Sequence, residues 1–90
     1  MKEKNELARI WAEAKPSVRI GKGGVNSGVI EEVKRQLKKQ PLIKVRVLRA
    51  ALASEVFDEM ILKLATETRS KVCGRRGSVV VLARKGWSGH

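Results

Sequence analysis

The sequence predicts a small α+β domain, with elements in the order α-β-α-β-α-β-β and a four-stranded mixed sheet packed with helices. Three observations lead there. Apolar spacing switches repeatedly between a helical period and a period of two within 90 residues. Strand–helix–strand units need crossovers, which pair strands in parallel. The last two strand patterns are separated only by Gly74-Arg75-Arg76-Gly77, which reads as a hairpin turn, so that pair should run antiparallel. A chain this short has room for one core. Its hydrophobic fraction of 42% is enough to fold it. We expect one domain over residues 1–85 and a short tail over 86–90.

The elements follow in order. Leu7, Ile10, Trp11 and Ala14 fall at i, i+3, i+4 and i+7, one stripe of a helix that Pro16 ends. Ser17–Ile20 reads as a short strand with Val18 and Ile20 on one face. Either Asn26 or Ser27 caps a second helix, with Glu31 and Glu32 near its positive end. That helix buries Val29, Ile30, Val33 and Leu37, and Pro41 closes the segment. Leu42–Arg49 then alternates, with Ile43, Val45 and Val47 on one face and Lys44 and Arg46 on the other. A third helical stripe, Val56, Met60 and Leu64 with Phe57 and Ile61, lies within Ala51–Thr68. Lys71–Cys73 is a weaker strand and Ser78–Arg84 the strongest one in the chain.

Charge narrows the function. Twenty Lys and Arg against nine Asp and Glu give a net +11. The excess lies in two blocks, residues 21–48 and 71–90, each net +5, while 49–70 is net −1. Such a domain suits a polyanionic partner, and the two blocks would form one positive face if the fold joins them. No apolar run is long enough to span a membrane. The charged N-terminal stretch has no apolar signal-like region, and the single Cys73 fits a reducing, cytoplasmic setting.

Four of the eight glycines sit between Gly21 and Gly28, at a strand-to-helix junction. Gly21, Gly23 and Gly24 clear side chains from the main chain, so a phosphate can approach it. The next helix adds free N–H groups and its positive dipole end, and Lys22 adds a formal charge. The Walker A pattern fails because Gly23 follows Gly21-Lys22, and the dinucleotide fingerprint fails at Asn26. What remains is Gly21-Lys22-Gly23-Gly24, a G-x-x-G, the type of loop that clamps a nucleic-acid backbone in KH domains.

The stretch AKPSVRIGKGGVNSGVIEEVKRQLKKQPLIKVRV resembles the CRM domain, the chloroplast RNA splicing and ribosome maturation module. It is most similar to the stand-alone YhbY-like forms of bacteria and archaea. The likeness rests on Lys15, Pro16, Ile20, Gly21, Lys22, Gly24, Leu42, Ile43, Lys44 and Val45, with Val79–Arg84 resembling the last strand. It departs at Val25-Asn26, where Leu-Thr is usual, and at Ala83, where Tyr is common. The resemblance implies a fold like the C-terminal domain of bacterial translation initiation factor three. It also implies RNA binding without catalysis, on ribosomal RNA, a precursor of the large ribosomal subunit, or structured intron RNA. Gly21–Gly24 carries over as the RNA-contacting element, with Lys15 and Lys44 as matching positions near it.

The residues themselves offer little for catalysis. His90 is the only histidine, Cys73 reads as a small packing residue, and no Cys/His set has zinc spacing. We expect no cofactor, no metal and no small-molecule substrate. Trp11 reads as core, whereas Trp87 either stacks on a base or packs back onto the sheet. With aromatics at 3% of the chain, affinity should come from phosphates. The expected contacts are Lys22 with the loop amides, then Lys34, Arg35, Lys38 and Lys39 as a basic helix face. Arg75 and Arg76 at the hairpin tip, with Arg84 and Lys85, form an expected second area. The alternatives are an Alba-like DNA or chromatin binder, a ribosome-associated protein acting through protein contacts, and an enzyme of unrecognised type.

Overall fold

Alternation in the second strand decides the architecture. In the computed structural model, which describes residues 2–13, 15–53 and 55–87, the elements are α1 (Lys2–Ala12), β1 (Val18–Ile20), α2 (Ser27–Lys39), β2 (Leu42–Val47), α3 (Phe57–Thr68), β3 (Ser70–Arg76) and β4 (Val79–Arg84). The order is the expected one. The four strands form one sheet, β1-β2-β4-β3, with β1 parallel to β2 and the other pairs antiparallel. Helices pack on both faces. Ile43, Val45 and Val47 join Val18, Ile20, Val80 and Leu82 in a core closed by Val33 and Leu37 of α2 and by Met60, Ile61 and Leu64 of α3. Leu42, Val81 and Ala83 face the other way, against Ile10, Leu7 and Trp11 of α1.

Local chemistry sets the boundaries. Asn26, in extended conformation, is the residue that caps α2: its Oδ1 accepts from the Val29 N–H at 3.0 Å. α2 stops at Gln40, which is extended and precedes Pro41. α3 begins later than the apolar stripe suggests. The chain leaves β2 through a 3₁₀ turn at Ala51–Ala53 that buries Ala51, and Val56 stays extended and 59% exposed. Asp58 and Glu59 then occupy the first turn of α3, where the helix dipole favours them. Arg69 ends α3 in a left-handed conformation, its N–H reaching Ala65 O and Thr66 O.

The hairpin also differs from expectation. Gly74, Arg75 and Arg76 belong to β3, and the turn is Gly77-Ser78, closed by the pair Arg76–Val79. Gly77, at φ 59°, supplies the positive φ that such a two-residue turn requires. Gly74 is explained by packing rather than turning. A Cβ there would stand 3.2 Å from Trp11 Cζ2, so the missing side chain makes room for the indole beside an irregularity in the β3 register.

Candidate nucleic-acid interface

The parallel pair β1–β2 delivers the glycine loop to one end of the sheet. Leu48 N–H donates to Ile20 O at 2.8 Å, fixing the point where β1 gives way to the loop. Gly21–Gly24 closes a turn through Gly24 N–H to Gly21 O at 2.9 Å. Lys22 and Gly23 are exposed at its crest, whereas Gly24 is buried with φ 67°. A Cβ at position 23 would come within 2.8 Å of Asn26 Nδ2, so the glycine there also protects the α2 cap. Asn26 satisfies Val29 N–H and its carbonyl accepts from Ile30 N–H. The N–H groups of Lys22, Gly23, Ser27 and Gly28 find no acceptor among the described residues. Four open donors, a helix N-terminus and one lysine therefore lie within residues 21–28, at the junction of β1 and α2.

The expected contact residues divide between two ends of a molecule whose longest dimension is 40 Å. Arg75 and Arg76 lie at the loop end, since Val47 N–H bonds to Ser78 O in the hairpin turn. They diverge there. Arg75 lies 3.9 Å over the Phe57 ring and pairs with Asp58 at 3.1 Å, on the α2/α3 face. Arg76 lies 4.4 Å over the Trp11 ring, on the α1 face. Arg84 and Lys85 close the opposite end of β4, five residue steps or about 17 Å away, so the expected second area is split between the two ends of the strand. Instead they border a groove of about 580 Å³ with Lys34 and Lys38 of α2, Arg69 and Glu67.

Four of the expected cations are covered, distant from the loop or paired. Lys44 is 6% exposed, and its ammonium donates to the Glu13 carbonyl behind α1. It sits three residues before Val47, about 10 Å from the loop end. Lys15 is exposed but precedes β1, again at the far end of that strand from the loop. Arg35 is held by Glu32 through Nη2–Oε2 at 2.6 Å and Nε–Oε1 at 3.2 Å. This pairing holds the Glu32 carboxyl below its usual range and pushes the Arg35 guanidinium up. Lys34 lies 3.8 Å from Glu31. Lys34 and Arg35 thus have acidic neighbours on α2, whereas Lys38 and Lys39, both exposed in the last turn, make no ion pair among the described residues.

Other features of this end went unread in the sequence. Arg19 and Arg46 are exposed and face each other across β1 and β2. Each stands out of phase with the buried residues of its own strand, which is a readable signal, but only the register puts them side by side. Glu55 brings a carboxylate against the loop, and a Cβ at Gly24 would run into it. Trp87 packs against the α1 cluster and its Nε1 donates to Glu6 Oε1 at 3.3 Å, so the packed chain continues past residue 85. His90 lies outside the described residues. Cys73 packs in the same cluster, and burial pushes its thiol pKa up against the opposing charge of Lys71. Among the described residues no three His, Cys, Asp or Glu side chains gather as a metal site, and no helix is long and apolar enough to cross a membrane.

A four-stranded mixed sheet with helices on both faces, and a glycine turn opening onto a helix N-terminus, defines a small α+β domain with exposed main-chain donors at one end. The chain belongs to the CRS1 / YhbY (CRM) domain family, which it matches over residues 1–84. It is 45% identical over 74 residues to a Methanocaldococcus jannaschii protein named as a probable RNA-binding protein. That match takes in 80% of this chain and 54% of the relative, so the chain spans about half the relative's length. The solution structure of a Staphylococcus aureus protein described as an RNA-binding candidate has the same fold. It has a TM-score of 0.68 at 30% identity, over 99% of this chain and 91% of that one.

Proposed function

We propose that this protein binds RNA, gripping the sugar–phosphate backbone at the loop end of the sheet. The observation that carries the reading is the turn Gly21–Gly24: its exposed crest leaves the Lys22 and Gly23 amides open beside those of Ser27 and Gly28. A phosphate oxygen there accepts hydrogen bonds from a fixed set of donors, with the α2 dipole and Lys22 supplying charge. The aromatic residues support a phosphate-led mode. Phe57 lies under Arg75, Trp11 lies under Arg76, and Trp87 packs on α1, so none offers a free stacking platform for bases. Family membership and the names of both relatives favour RNA over other polyanions. We assign the target to structured RNA, of the kind found in ribosomal RNA, large-subunit precursors or introns, because backbone readers select by shape.

The test is a matched-salt comparison of a ribosomal RNA stem-loop with a DNA duplex of equal length. Tighter binding of the RNA is expected. Equal or tighter binding of the DNA would return the protein to the chromatin-type alternative.

A further inference from the structure

The sheet itself carries a second cationic feature beside the loop. In the strand register, Arg19 pairs with Arg46, Arg46 with Val79, and Val79 with Arg76. These four positions form one row running across all four strands, with their side chains on the face that α1 covers elsewhere. α1 ends at Ala12 and covers the preceding rows, where Leu42, Val81 and Ala83 are buried. The arginine row lies past its end and stays open: Arg19, Arg46 and Arg76 are all exposed. At a strand spacing of about 4.8 Å, the row spans roughly 14 Å from β1 to β3. Its β1 end is two residues from Gly21.

Two facts argue that this row is more than a solvated surface. Like charges directly opposite each other on neighbouring strands are destabilising, yet Arg19 and Arg46 are direct partners. No carboxylate pairs with Arg19, Arg46 or Arg76 among the described residues; the ion pairs seen there involve Lys34, Arg35 and Arg75. The row also borders a cleft of about 210 Å³, walled by Trp11, Pro16, Val79, Arg46 and Arg76. The Trp11 ring holds the Arg76 guanidinium in place at the far end.

We infer that Arg19, Arg46 and Arg76 form a track along which an RNA sugar–phosphate strand, held at Gly21–Gly24, continues across the sheet. This rests on the RNA-binding reading above and extends it to residues outside the loop. Charge complementarity selects the occupant. An evenly charged phosphodiester strand meets three guanidiniums in line and supplies the counter-charge that the protein withholds.

The experiment measures binding of a labelled RNA stem-loop by anisotropy across a salt titration. It uses wild type, the double variant Arg19→Gln/Arg46→Gln, and Lys22→Ala as the loop control. Neutralising two phosphate contacts should lower the magnitude of the log K–log salt slope by about 1.4–1.8, a loss of roughly 15- to 30-fold in affinity near 150 mM salt. The melting temperature of the double variant should hold or rise, since a repulsion is removed. If the double variant binds like wild type while Lys22→Ala weakens, the track is refuted and the loop reading stands. If the double variant weakens and Lys22→Ala is silent, the track stands and the loop reading fails. An oligoglutamate of equal charge that binds as tightly, with the same sensitivity to the arginines, overturns the assignment to RNA.

Discussion

Lys22→Ala isolates the contribution of the loop from that of the fold. Lys22 is exposed at the crest of the turn and makes no ion pair among the described residues, so its removal breaks nothing inside the protein. The turn itself is closed by Gly24 and Gly21 through the main chain and survives the change. If the ammonium neutralises one phosphate, it releases about 0.7–0.9 of a counterion. Near 150 mM salt that release is worth about four- to fivefold in affinity, and near 20 mM about 15- to 30-fold. The ratio of wild-type to variant affinity must therefore widen as salt falls. Anisotropy titrations of an RNA stem-loop at several salt concentrations read this directly, with a thermal melt as the control. Parallel salt plots for the two proteins would refute the reasoning, because a lost phosphate contact must change the slope.

Three other perturbations test separate parts of the account. Glu55→Gln removes the carboxylate beside Gly24 and should raise RNA affinity several-fold, most at low salt; unchanged affinity would put the bound strand elsewhere. Gly24→Ala forces a side chain into φ 67° and against Glu55, and should cost about 1–2 kcal/mol. A drop in melting temperature of about 4–8 °C per kcal/mol is expected for a domain of this size, and an unchanged melt contradicts the buried turn. Cys73 holds its proton to higher pH when folded than when unfolded, because burial penalises the thiolate. Stability linked to it is thus complete below the ordinary thiol pKa and is lost as pH rises through the folded value. A disulfide reagent should react with Cys73 more slowly in the native protein than in denaturant at one pH, and equal rates would refute the packing.

The order of elements was legible because each segment declares its period. Ile43, Val45 and Val47 alternate, Val33 and Leu37 recur at helical spacing, and both sets are buried where expected. The G-x-x-G was legible as well, since its glycines sit between a strand pattern and a helix cap. What failed depends on contacts between distant segments. The glycine at 74 looks like a turn residue until the indole of Trp11, 63 positions earlier, is seen against it. Lys44 looks like a surface cation because nothing local shows that the Glu13 carbonyl will cover it. The arginine row exists only through the β1–β2–β4–β3 register, which single-strand periodicity does not encode. By contrast, the Glu32–Arg35 pair at i, i+3 was readable from spacing alone, and the sequence reading passed over it.

The most direct test of the central claim is a titration of the ¹⁵N-labelled protein with an RNA stem-loop, followed by amide chemical shifts. The open donors at Lys22, Gly23, Ser27 and Gly28 should shift first and furthest, with Arg19 and Arg46 beside them. Shifts confined to Lys38, Arg69, Arg84 and Lys85, with the loop amides unmoved, would mean that RNA docks at the opposite end of the sheet.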